Sequence, residues 1–408
     1  MPSSSSPHVL IAGAGLGGLT LAQALRKQGI SYEIFEREKS ARERREGWVI
    51  GLHHMLDDLK ESIPDDLPPV SSLSNLLPLT KYQPEVVYYD PTKPNMPKIG
   101  VRGDESGWVV RAARHRIVQW LETHIPVQYN KQIVKIEEKS DKVKLYFQDG
   151  TSAEGDILVG AEGARSPTRK HILGGDDPIK VPPMAIIDGH CTLTGEELDE
   201  QLRLGHSLYI VDMGSINGSP MVFLVTLIEV NPDGESGKFG WALIWPNKDA
   251  VKNDFWVYSA TAQEQYDFVV EKTKELPAKF LTTLKKSDPE TTIPVLRLHT
   301  LLMDSMPTGR ITLLGDAAHA MTPFRGEGGY HALTDALNLA RAIGKIDKDD
   351  IESIKKVFGP YQVEMLERGS KAAKLSEEAF AKRMGFEGGD AEVSYGWGRP
   401  MGPLPDED

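Results

Sequence analysis

Residues 8–18 read HVLIAGAGLGG, an apolar run that dissolves into glycines. The run His8–Ala12 has no polar face, the pattern of a strand buried on both sides in a parallel sheet. Beyond the glycines, Leu19–Gln28 has helical spacing of apolar residues and stops at Gly29, a C-cap position. Ser31–Glu36 (SYEIFE) is then the next strand. Strand, turn, helix and strand fit within about 30 residues, the size of a βαβ unit.

The turn itself, Gly13-Ala14-Gly15-Leu16-Gly17-Gly18, fits G-x-G-x-x-G. The first glycine permits the tight turn, the second lets a pyrophosphate approach the backbone, and the third lets helix pack closely on strand. The phosphates are then left at a helix N-terminus. Glu36 ends the second strand, where an acidic group meets a ribose hydroxyl. A dinucleotide containing adenosine is therefore expected here. A carboxylate at position 36 repels a ribose 2′-phosphate, which disfavours NADP at this turn and leaves NAD and FAD open. Arg37, Arg42 and Arg44 nearby read as a solvated face.

The chain around this unit has 408 residues, 40% hydrophobic and 26% charged, ordinary for a soluble globular protein of two or three units. Its net charge of −12 argues against nucleic-acid binding, which needs a basic face. A single cysteine, Cys191, excludes an internal disulfide and suits a reducing, cytoplasmic compartment. No apolar run approaches the roughly 20 residues needed to span a bilayer, and the N-terminal serines do not resemble a signal peptide. No pattern has metal-ligand spacing; the adjacent His53 and His54 do not make one.

Further along, Ser62–Pro97 is rich in Pro, Ser and Asn and reads as excursion loops with short strands. Arg111–His124 has helical spacing, and Lys142–Gln148 and Ile157–Gly160 are strand-like about the Asp149-Gly150 turn signal. Between Met184 and Pro246 the segments alternate as antiparallel strands do. Gln263–Lys286 is helical with a break at Pro277, and Gly329–Ala342 and Ile351–Met384 are helical, the latter interrupted at Gly359-Pro360. The last residues, YGWGRPMGPLPDED, read as a mobile loop.

A second decisive stretch is GRITLLGDAAH, residues 309–319, a buried strand that delivers Asp316 just past its C-terminal end, where ligands sit in open α/β sheets. PFRGEGG, residues 323–329, follows with backbone N–H groups that can stabilise negative charge on a reduced ring.

Together GAGLGG with Glu36, VGAEGARSPTR and GDAAHAMTPFRGEGG resemble the three fingerprints of the class A FAD-dependent monooxygenases, the p-hydroxybenzoate hydroxylase and salicylate hydroxylase-like family. The resemblance runs from about His8 to Ser376. It implies an α/β fold: a Rossmann-like FAD-binding domain with a βαβ unit, interleaved with a β-rich substrate domain and a C-terminal helical segment. The expected boundaries are 8–180 for the first part of the FAD domain with excursion loops at about 52–105, and 181–295 for the substrate domain. The second part of the FAD domain would occupy 296–345, C-terminal helices 346–390 and a tail 391–408.

The resemblance further implies that Gly13, Gly15 and Gly18 line the FAD pyrophosphate and Glu36 holds the ribose. Arg114 meets the phosphate or ribityl region, with Arg111 a second candidate, and Arg45 and Gly47 form a turn beside the flavin. Glu162 and Gly163, with Ser166 and Arg169, make the middle fingerprint, linked to FAD and NADPH. Asp316 contacts the ribityl chain, and Pro323, Gly326, Gly328 and Gly329 run along the isoalloxazine ring. Two positions depart from the family pattern: Glu162 replaces Asp, and Tyr330 replaces Asn.

The implied reaction uses non-covalently bound FAD, NAD(P)H and O2 to insert one oxygen into an electron-rich small molecule through a flavin C4a-hydroperoxide. Phenol hydroxylation benefits from a group that orients or deprotonates the phenol. Tyr209 is the candidate catalytic residue, with His206 beside it and Trp241 and Trp245 as pocket aromatics; core packing is the competing reading for each. A non-oxygenating FAD-binding cyclase or isomerase and an NAD-dependent dehydrogenase are the alternatives, and GDAAH argues against the latter.

Overall fold

The computed structural model describes residues 6–40, 49–53, 55–74, 84–91, 93, 95–102, 109–216, 219–292, 297–346, 350–383 and 402–404. Val9–Ala12 forms an inner strand of a four-stranded parallel sheet, ordered Ile311–Leu313, Ile157–Gly160, Val9–Ala12, Tyr32–Phe35. The run is apolar throughout because both faces are covered: Val9 and Ile11 enter one core, Leu10 and Ala12 another. Helix Leu16–Gln28 follows directly, and Gly29, at φ 70°, ends it with its N–H on the Arg26 carbonyl. The strand Ile311–Leu313 reaches this sheet from the far side of the β-rich stretch, so distant parts of the chain meet beside the glycine turn.

The second large sheet has seven strands, in the order Met184–Thr194, Ser236–Pro246, Ser219–Val230, Ser207–Ile216, Glu85–Tyr89, Ile99–Arg102, Gly402–Pro403. Its neighbours are antiparallel except for Ser207–Ile216 beside Glu85–Tyr89. Side chains alternate across it. Tyr209, Phe223, Trp241 and Leu243 enter one core with the helices behind, whereas Ile186, Ile210, Ala242 and Ile244 form a cluster on the opposite face.

Several elements differ from the sequence reading. The excursion between 52 and 105 contributes two strands to the seven-stranded sheet, so that sheet recruits chain from outside 181–295. Helical spacing from Arg111 is interrupted by pairing: Val109–Ala113 is a strand against Val49–His53, and the helix starts at Arg114. Part of the expected tail pairs as a strand, Gly402–Pro403 against Ile99–Gly100.

Helix Ile351–Arg383 continues through Pro360. Pro360 is exposed, so water can reach the carbonyl it frees, while Phe358, Tyr361 and Met365 anchor the opposite side in the core. At the other proline the reading holds: Ala262–Thr273 is capped by Thr261 and Glu264, and short turns resume after Pro277.

Cys191 is a buried free thiol, its pKa pushed up to about 12 by burial. Among the described residues no helix is long and apolar enough to cross a membrane, and no cluster of His, Cys, Asp or Glu could hold a metal ion.

Candidate functional site

The glycine turn is held from both sides. Gly13 donates its N–H to the Phe35 carbonyl at 2.7 Å and Ala161 donates to Ala12 at 2.7 Å, tying three parallel strands together at their C-terminal ends. Gly13 has φ 101°, and a Cβ there would strike the Ala161 carbonyl. A Cβ on Gly18 would fall on the Gly13 carbonyl, whereas one on Gly15 would have no neighbour within 4 Å. Gly15 therefore faces open space, while Gly18 allows the close packing expected of a third glycine and does not line the cavity. Glu36 braces the turn: its carboxylate accepts the Ala14 N–H at 2.9 Å and the Glu38 N–H at 3.2 Å.

The third fingerprint arrives through Ile311–Leu313 and turns at Gly315, φ 59°. Its position is fixed by Asp335 of helix Gly328–Ile343. The buried Asp335 carboxylate accepts the Gly315 N–H at 2.8 Å and pairs with buried His319 Nε2 at 2.6 Å and with the half-buried Arg368 Nη2 at 2.6 Å. Burial would push His319 down, but the Asp335 charge and hydrogen bond raise its pKa; burial would push Asp335 up, but His319 and Arg368 hold it low. The next residue along, Asp316, is raised by burial against the pull of His319 and Arg114.

The middle fingerprint fastens to the third. Arg169 has 0% exposure and donates to the Ala317 and Ala164 carbonyls at 3.1 and 2.7 Å while paired with Asp177. The longer Glu162 side chain accepts hydrogen bonds from Ser166 and Thr168 at the start of helix Pro167–Ile172. Burial raises its pKa against those bonds.

These parts enclose one cavity of about 1620 Å³. Its walls include Gly13, Gly15, Glu36, Arg111, Arg114, Glu162, Gly163, Asp316, Pro323, Gly326, Gly328 and Gly329, so most of the sequence-derived site residues meet in one space. Arg45 and Gly47 lie outside the described residues, as does His54. Tyr330, the substitution for Asn, does not line the cavity but packs against the nucleotide-side core.

Above the third fingerprint the roof is the seven-stranded sheet, presenting Ile186, Leu208, Ile210, Leu224, Ala242 and Ile244, with Phe324 packed against the same cluster. Here the expectation for Tyr209 is corrected. Tyr209 is 1% exposed in the core behind the sheet, and its hydroxyl donates to Gln201 at 2.6 Å. Leu208 and Ile210 face the cavity instead, because adjacent strand residues point to opposite sides. His206 is also buried away from the cavity, its pKa pushed down to about 3 by burial. Trp241 does reach the lining, with its Nε1 donating to Ser287, while Trp245 does not.

The same two-residue period identifies what the sequence reading missed. Ile186, Asp188 and His190 alternate in MAIIDGHCTL and all line the cavity, as does Thr226 two strands away. Replacing Tyr209 by phenylalanine is expected to leave turnover unchanged and cost about 1–2 kcal/mol of stability, because Gln201 loses a buried partner. Steady-state kinetics and denaturant titration of the variant check both parts.

Comparison with known proteins agrees with this geometry. Residues 187–351 match the family described as FAD binding domain, and residues 11–42 match the NAD(P)-binding Rossmann-like domain. The chain belongs to the FAD-dependent monooxygenases, and is therefore an oxidoreductase that uses FAD. It is 41% identical over 384 residues to the FAD-dependent monooxygenase thnD of Trichoderma harzianum, covering 91% of this chain and 92% of that one.

Among solved structures it is similar in fold to 2,6-dihydroxypyridine-3-hydroxylase of Arthrobacter nicotinovorans. The TM-score is 0.74 at 19% identity, covering 100% of this chain and 99% of that one. It is also similar to HpxO of Klebsiella pneumoniae in complex with FAD and uric acid, with TM-score 0.70 and 18% identity over 93% of this chain and 89% of that one.

Proposed function

We propose that this monooxygenase binds FAD non-covalently along the whole cavity, takes electrons from NAD(P)H, and passes one atom of O2 to an apolar small molecule held under the seven-stranded sheet. The single observation that carries this reading is the continuity of one cavity from Gly13 and Glu36 through Asp316 to the apolar roof. Gly15, open to that space, and the N-terminus of helix Leu16–Gln28 are suited to a pyrophosphate, and Glu36 to the ribose. Asp316 and Arg114 are assigned to the ribityl chain, and Pro323, Gly326, Gly328 and Gly329 to the isoalloxazine edge.

Bound flavin supplies hydride acceptance and oxygen activation. The protein's own work is to orient the acceptor and keep water out. Ile186, Ile210, Ile244 and Phe324 do the latter, since an apolar wall offers bulk water no hydrogen-bond partner. The cytoplasm is the proposed location, because the buried Cys191 has no use for an oxidising compartment.

Purified protein is expected to be yellow, and an apolar phenol is expected to stimulate NAD(P)H oxidation with matching oxygen uptake. Colourless protein indifferent to added FAD, or oxidation with no oxygen consumed, overturns the proposal.

A further inference from the structure

Arg111 occupies the cavity wall on the strand Val109–Ala113, opposite Gly51 of Val49–His53. It is 8% exposed, its Nη2 donates to the Thr226 hydroxyl at 3.0 Å, and its Nε has no hydrogen-bond partner. Two other arginines have carboxylate partners: Arg169 pairs with Asp177, and Arg368 with Asp335 and Glu364. Among the described residues no carboxylate plays that part for Arg111, and burial pulls its pKa down to about 10. A guanidinium withdrawn from water without an anion is costly, and one that faces a cavity is completed by the anion that enters.

Its surroundings indicate which end of the cavity that is. Thr226 lies in register with Leu208 on one side and Gly240 on the other, all three lining the roof of the seven-stranded sheet. The opposite end is furnished separately, with Gly13, Gly15, Arg37 and Lys131 about the dinucleotide turn, and Arg114 acts on Asp316. Arg111 is thus a cation at the sheet-lined end, beside the apolar surface formed by Ile186, Ile210, Leu224 and Ile244, in a cavity that Asp188 and His190 also line.

We propose that Arg111 receives an oxyanion of the substrate, so that the substrate class is a flat, largely apolar ring compound carrying one acidic oxygen at the end that reaches Thr226. The proposal rests on the monooxygenase reading above. An ionised phenol or enol is more electron-rich than its neutral form, which is what transfer of an electrophilic oxygen requires. A ring carboxylate would satisfy the same cation without activating the ring.

The experiment uses the FAD-loaded enzyme and three probes of one shape: 2-naphthol, its methyl ether and 2-naphthoate. Binding is read from perturbation of the flavin absorbance without turnover, and FAD affinity is measured separately. Wild type is expected to prefer an ionisable probe over the ether by about tenfold or more, the scale of a hydrogen bond to a buried charge. The preference should follow the ionisation of the probe as pH rises. Arg111→Met should abolish it with FAD affinity unchanged, and Arg111→Lys should retain part of it.

Preference for naphthol assigns a phenolate or enolate, and preference for naphthoate a carboxylate. Equal binding of all three probes to wild type overturns the inference whether or not a variant folds. Loss of FAD from Arg111→Met and Arg111→Lys, with discrimination intact in wild type, also overturns it, because the cation then serves the flavin. Failure of wild type to take up FAD at all overturns the monooxygenase reading instead.

Discussion

Gly18→Ala is expected to purify without flavin colour. The added methyl would fall on the Gly13 carbonyl oxygen, a backbone atom of a turn already fixed between three strands, so it cannot be accommodated by a rotamer change. Forcing one methyl group into such a contact costs about 1–3 kcal/mol and displaces the turn that faces the cavity. Gly15→Ala is the informative partner. Its methyl meets nothing within 4 Å, so stability should be near wild type, yet it projects where a pyrophosphate would lie and FAD should bind far more weakly. Thermal unfolding and flavin titration of both variants check the pair. Equal FAD affinity in wild type and Gly15→Ala would sink the assignment of this turn to phosphate.

Asp335→Ala should have the larger effect on stability. It removes the acceptor shared by the Gly315 N–H, His319 and Arg368, leaving the buried His319 without its carboxylate and Arg368 with Glu364 alone. Breaking a buried pair from one side costs about 3–5 kcal/mol. The pH dependence follows from the directions of the shifts. Asp335 is held low, so its contribution is present above the ordinary carboxylate range and is lost as pH falls through its depressed folded value. His319 is raised, so its contribution is full below the ordinary imidazole range and is lost as pH rises through the raised value. Wild-type stability from this network should therefore peak between those limits, and Asp335→Ala should show a flatter profile. Denaturation midpoints across that range decide it, and a variant as stable as wild type would refute the role given to Asp335.

The βαβ unit was legible because two local signals agree: a strand with no polar face and glycines at fixed offsets from it. Asp316 and the Pro323–Gly329 loop were legible for the same reason, being short motifs whose chemistry is set by adjacent residues. The pocket wall was not. In Ser207–Ile216 both faces are apolar, so composition gives no sign of which parity meets the cavity, and choosing Tyr209 over Ile210 inverted the face. The Asp335 network was hidden for another reason. Its members lie on elements far apart in the chain, and an Asp within an amphipathic helix looks like any polar position until Arg368 and His319 are placed beside it.

The seven-stranded sheet, with one side sealed into a core and the other forming the pocket roof, separates two kinds of selection along the same strands. Exchanges at Leu208, Ile210 or Leu224 are expected to reshape what the cavity accepts, while their immediate neighbours Tyr209 and Val225 stay in the core behind the sheet. A lineage can thus explore new chemical niches by single steps without first surrendering the integrity of its framework.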